Sequence, residues 1–322
     1  MKFHNPLLPP PSADPWIIRH GDWYYFCRSK DNHIEVIKSP TITGIGRGER
    51  KNVWSPPAEG PCSKELWAPE LHYLQGKWYI YFAADDGDNV NHRMWVLESV
   101  EDDPQGTYIL KGQLKAVTDK WAIDGTVLEM TDGQLVFIWS GWPEDKNVTQ
   151  VLYMAPMSNP WTISGERVLL SEPTYEWERH TYVDGPTVNE GPQVLKHGNC
   201  IHIVYSASHS SIEAYCLGLL TFRGGDVLEP TNWEKAAHPV LSKNPKAGVY
   251  SVGHCSFTVS PDGTEDWILY HAMTDPNGGW GNRSTRAQRF TWAVDGKPIF
   301  EAPVSLEKAL DVPAGESVQA TH

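Results

Sequence analysis

ELHYLQGKWYIYFAA, residues 70–84, runs from an acidic residue through a short apolar run and a glycine turn into a second run rich in Tyr, Trp and Ile. Two strands joined by a tight turn fit this pattern, because aromatic and β-branched side chains pack well on a pleated surface and Gly76 suits the turn. The same form recurs from Asp14 (DPWIIRHGDWYYFCRS), Asp124 (DGTVLEMTDGQLVFIWSGW), Glu190 (EGPQVLKHGNCIHIVYSAS) and His254 (HCSFTVSPDGTEDWILYHA). The opening residues stand 54 to 66 positions apart. One hairpin unit repeated at a near-constant interval is the signature of a β-propeller, and a Greek-key sandwich has no reason to show it. The sequence therefore predicts an all-β, five-bladed β-propeller with blades starting near 14, 70, 124, 190 and 254.

Plainer outer strands follow each hairpin: HIEVIKS (33–39), RMWVLESV (93–100), TQVLYMAP (149–156), EAYCLGLLTF (213–222) and TRAQRFTW (285–292). No segment longer than about ten residues carries a helical apolar period. The 322 residues exceed the usual span of one compact core. A propeller escapes that limit because each blade packs only on its neighbours. No Gly/Ser linker divides the chain, so residues 1–322 are expected to form a single domain.

The formal net charge of −13 argues against nucleic acid and anionic membranes as partners. No run approaches the 18 apolar residues that span a bilayer. The opening MKFHNPLLPPPSADP has no apolar core of a signal peptide, and the five cysteines show no C-x-x-C spacing. Both point to a reducing cytoplasm as the expected compartment. The 15 tryptophans are the unusual count, and Trp54, Trp121, Trp142, Trp177 and Trp280 read as loop residues. Such rings either stack on sugar faces or cover blade ends, and an exposed Trp-rich rim would equally serve a homo-oligomer interface.

Propeller geometry brings the first residues of the innermost strands together at one mouth, so Asp14, Glu70, Asp124, Glu190 and His254 converge there. Glycosidic bond cleavage needs two carboxyl groups, and in inverting enzymes they stand about 6.5–9.5 Å apart to admit a water. Carboxylates on different blades meet that distance, whereas neighbours on one strand do not. Asp184, in DGP, lies in the loop before the Glu190 strand, and DPNG (275–278) reads as a late turn.

These stretches resemble glycoside hydrolase family 43. NPLLPPPSADPWIIRHGDWYYF is similar to the family's first blade, LWAPELHYLQGKWYIYFAA to its second-blade "WAPE" strand, and AIDGTVL to the segment with its third carboxylate. NEGPQVLKHGNCIHIVYSAS is similar to its "EGP" strand, and GHCSFTVSPDGTEDWILYHA with RSTRAQRFTW to the fifth blade of an arabinofuranosidase subgroup. The resemblance implies Asp14 as general base, Glu190 as general acid and Asp124 as the carboxylate that raises the Glu190 pKa and orients it. It offers Trp67 and Arg286 as substrate contacts, with Arg283 and Arg289 as rivals of Arg286 in sequence. His254 would touch substrate or hold a structural Ca2+ or other cation in the central channel, while the chemistry itself needs no cofactor. Glu70 is expected to hydrogen-bond neighbouring backbone. The implied activity is an inverting, exo-acting α-L-arabinofuranosidase on arabinofuranose-containing oligosaccharides. The alternatives are a β-xylosidase or endo-arabinanase of the same family, and a non-catalytic carbohydrate-binding propeller.

Overall fold

The computed structural model describes residues 1–316; positions 317–322 of the expected single domain lie outside the described residues. The fold is all-β, with six 3-10 turns and no α-helix among the described residues. Five antiparallel units follow one another in chain order, and their innermost strands are Trp16–His20, Lys64–Leu74, Ala122–Glu129, Thr187–His197 and Tyr250–Val259. A short parallel pairing, Thr149 and Gln150 against Thr187 and Val188, joins the third unit to the fourth.

Two-sided burial explains the second strand of the second unit, Lys77–Asp85, whose apolar run is nearly continuous. Trp78, Ile80 and Phe82 enter a core shared with the first unit, while Tyr79, Tyr81 and Ala83 enter one shared with the third. Alternate side chains thus serve opposite neighbours, so a buried strand reads as uniformly apolar rather than alternating. Three further cores lie between units three and four, four and five, and five and one. In the last, Tyr24, Phe26 and Ile37 pack with Trp267, Leu269 and Ala287. The N-terminal segment fastens the same junction: Asn5 exchanges hydrogen bonds with the Ala287 backbone at 3.0 and 2.9 Å, and Lys2–Phe3 pairs with Leu310–Asp311.

Each unit presents a left-handed residue at the same end: Asp14 (φ 49°), Ala68 (φ 41°), Asp124 (φ 55°), Gly191 (φ 54°) and His254 (φ 43°). In units two to five the pairing register shifts at that residue, marking a β-bulge that re-aims the side chain. The expected set of strand-opening residues is corrected accordingly. Ala68 occupies the seat assigned to Glu70, which lies two residues further along its strand. Glu190 stands one residue before its own bulge.

Candidate active site

Asp14 lies at the hub of a charged cluster. Its Oδ1 is 3.2 Å from His254 Nδ1 and 3.4 Å from the Arg283 guanidinium, and a quarter of its side chain faces solvent. Its backbone N–H donates to His271 Nδ1 over 3.2 Å. That bond occupies the Nδ1 lone pair of a neutral imidazole. It agrees with a His271 pKa brought down to about 4, chiefly by burial, although Asp14 opposes the fall. Burial pushes Asp14 up, but the charges of His254 and Arg283 outweigh it and hold the carboxyl far below its ordinary range.

Asp124 and Glu190 are more enclosed, at 5% and 8% exposed. Oδ2 of Asp124 accepts the Gly191 N–H at 3.1 Å and lies 4.0 Å from His254 Nδ1. Burial, then repulsion from Glu190 and Asp14, pushes the Asp124 carboxyl well above its usual value. Glu190 accepts the Tyr215 hydroxyl at 2.9 Å. Burial raises its pKa to about 7; Asp14 adds to the rise, while Tyr215 and Arg283 oppose it. Two carboxyl groups of one cluster are therefore pushed in opposite directions, Asp14 down and Glu190 up to about 7.

Of this cluster Asp14 and Arg283 line a cleft of about 460 Å³, walled also by Trp67, Arg28, Lys30 and Trp280. The structure thus brings Asp14, Asp124, Glu190 and His254 together and sets Trp67 in the cleft wall. Arg286 is a correction. Its side chain is wholly buried, its Nε donates to Ser284 Oγ at 3.3 Å, and both terminal nitrogens lack a hydrogen-bond partner among the described residues. Arg283, three positions earlier and just before the strand begins, reaches Asp14 instead. Tyr215 and His271 were missed. His271 was visible as the polar residue closing the apolar run DWILYHA, but Tyr215 carried no signal beyond its type.

His254 spends Nδ1 on Asp14, and its backbone N–H donates to Ser206 Oγ at 2.8 Å. Among the described residues no group of three or more His, Cys, Asp or Glu side chains is arranged to hold a metal ion. With Nδ1 engaged by Asp14, His254 lacks, among these residues, the neighbouring donor side chains that would complete the expected cation site. Glu70 is held by side chains rather than backbone, His72 Nε2 at 2.8 Å and Gln193. Asp184 is exposed, and Asp275 sits in an exposed turn closed by Gly278. The rim is less aromatic than expected. Trp121 and Trp142 are buried and stacked on each other at 4.6 Å, whereas Trp280, 56% exposed, faces the cleft.

The profile of glycosyl hydrolases family 43 matches residues 3–298. The chain belongs to that family. Within family 43 it is 36% identical over 321 residues to an extracellular exo-α-(1→5)-L-arabinofuranosidase of Streptomyces avermitilis, covering 94% of this chain and 64% of the relative. It thus spans less than two thirds of that relative's length. The enzyme of the same name from Streptomyces chartreusis is 36% identical over 276 residues, 84% of this chain and 82% of the relative. The crystal structure of an α-L-arabinofuranosidase from Lactobacillus brevis superposes with a TM-score of 0.88 at 35% identity, covering 95% and 98% of the two chains. Family 43 enzymes need no cofactor for their chemistry.

The expected cytoplasmic compartment is overturned by these relatives, two of which are named extracellular. The thiol argument behind it was weak for a physical reason. Four of the five free cysteines are buried, and a buried thiol is inert in an oxidising or a reducing compartment alike.

Proposed function

We propose that this chain is an inverting, exo-acting α-L-arabinofuranosidase that releases arabinose from arabinofuranose-containing oligosaccharides. The observation that carries the reading is the opposed electrostatics of Asp14 and Glu190, one held far below the ordinary carboxylate range and the other raised to about 7. In this mechanism Asp14 takes a proton from a water that attacks the anomeric carbon. Glu190 protonates the departing glycosidic oxygen from the opposite side, so the anomer inverts. Asp124, bonded to the Gly191 N–H beside Glu190, orients the acid, while burial and the charge of Asp14 raise the Glu190 pKa. Arg283 anchors Asp14 and reaches into the cleft, and Trp67 offers a face to the sugar. The relatives' names support the sugar and the exo action. The five units with five shared cores support a closed five-bladed β-propeller forming one domain.

The test is hydrolysis of paired nitrophenyl α-L-arabinofuranoside and β-xyloside by wild type and Glu190→Gln, with proton NMR of the first-formed anomer. Release from the arabinoside alone, with inverted product and loss in the variant, is expected. Preference for the xyloside would overturn the substrate. Retained configuration would overturn the assignment of Asp14. Sugar binding with no turnover, unchanged in the variant, would mean a carbohydrate-binding protein.

A further inference from the structure

Beneath the cleft wall lies an acid–imidazole pair that the chemistry above does not use. Asp85 and His92 are both fully enclosed, with His92 Nδ1 2.9 Å from Asp85 Oδ2. The contact has the distance of an ion pair without in-line hydrogen-bond geometry. The second ring nitrogen, Nε2, meets the Glu65 carbonyl oxygen at 3.0 Å, and Asp85 Oδ1 accepts the Gly87 N–H at 2.8 Å. One ring edge of His92 is therefore fixed by a hydrogen bond and the other faces the Asp85 carboxylate.

The face of that ring carries Trp67. The two rings stack with centroids 3.8 Å apart and planes 25° from parallel, and Trp121 meets His92 edge-on at 6.4 Å. Trp67 keeps a single register pairing, with Ala83, and its Nε1 donates to Glu65 Oε2 at 3.3 Å. Register shifts flank it on both sides, and Glu65 (φ 47°) and Ala68 (φ 41°) are left-handed. A residue raised on such a double irregularity needs its orientation set by what lies under it. An aliphatic side chain would fill the space at less desolvation cost than a buried carboxylate and imidazole. It would not fix the plane of the ring above.

We propose that Asp85 and His92 are positioning residues that set the plane of Trp67 in the cleft wall, and through it the affinity for the sugar. The effect on affinity rests on the sugar-cleft reading above; the effect on ring orientation does not.

Steady-state kinetics on nitrophenyl α-L-arabinofuranoside for His92→Gln and Asp85→Asn, each with and without Trp67→Ala, tests the first part. Each single change is expected to raise KM by about three- to tenfold with kcat within about twofold, the mark of lost binding rather than lost chemistry. In the Trp67→Ala background neither should raise KM further. Equal increments in both backgrounds, or a fall in kcat at constant KM, would overturn it. Near-UV circular dichroism reads orientation without turnover. The difference spectrum between wild type and His92→Gln should vanish in the Trp67→Ala background, and its persistence there would overturn the proposal. Asp85→Asn, nearly isosteric, serves if His92→Gln fails to fold. A wild type that hydrolyses no arabinoside sinks the functional reading, while the spectra still decide the positioning.

Discussion

The Tyr215 hydroxyl donates to Oε1 of Glu190 over 2.9 Å, and with Arg283 it works against the burial that raises this carboxyl. Its ring also packs where a side chain at residue 253 would stand, since a Cβ on Gly253 would come within 2.2 Å of it. Tyr215 is thus fixed from one side and bonded to the proposed acid on the other.

Tyr215→Phe removes a bond that favours the ionised form of Glu190, so the pKa of about 7 moves up. A general acid works only while protonated, so the alkaline limb of kcat/KM is expected to shift to higher pH. A pH–rate profile checks this, and a limb that moves down would remove Glu190 from the role.

Glu190→Gln is expected to stabilise the fold at high pH while abolishing turnover. The folded pKa of about 7 lies above the unfolded value of about 4.3, so wild-type stability is lost as pH rises between the two. Above pH 7 the deficit is complete and amounts to at most about 4 kcal/mol, which a glutamine escapes. Chemical denaturation at pH 8 and pH 4 should show the gain at the first and its closure at the second. Asp14 has the opposite sign. Its depressed pKa stabilises the fold above the unfolded value and the benefit is lost as pH falls, so Asp14→Asn should destabilise at neutral pH.

Gly191→Ala strains a left-handed backbone at a cost of roughly 1–2 kcal/mol. The new Cβ also stands 3.2 Å from the His254 ring and from Ser206 Oγ. Displacing His254 moves the partner of Asp14, and a shift of that kind costs about a hundredfold in kcat. Thermal melting and initial rates measure the two losses separately.

The two arginines should part company. Arg283→Gln takes a charge from Asp14 and is expected to lower kcat/KM by about 10²–10³-fold. Arg286→Met removes a buried guanidinium with no acidic partner among the described residues, and should leave kcat/KM within about threefold with stability unchanged or raised. Equal losses of activity in both would restore Arg286 to the site.

The architecture was legible because hairpins repeat in sequence wherever a unit repeats in space. Gly76, in the turn of the second hairpin, punctuates that pattern as the chain predicts. Asp14, Asp124 and Glu190 were legible as acids at the start of those hairpins. The exact seats were not, because a bulge adds a residue without changing composition, and Glu70 therefore passed for the counterpart of Asp124. Trp121 and Trp142 looked like loop residues because short connections bury as readily as they expose. Tyr215 and Arg283 reach the cluster from irregular segments, where no periodicity tells which way a side chain points. Compartment was not legible at all.

The left-handed seats separate address from chemistry. One backbone geometry holds Asp14, Ala68, Asp124, Gly191 and His254 at the same end of five units, so the charge at the opening can be rewritten one position at a time with little disturbance to the strands behind. Ala68 and Gly191 are the seats without a functional group, and Ala68 already borders the cleft. Aspartate and asparagine tolerate this conformation better than alanine does. A polar side chain installed at Ala68 would therefore relieve local strain as it added a new reactive group. In this molecule, redesigning the catalyst and steadying the scaffold need not be opposing aims.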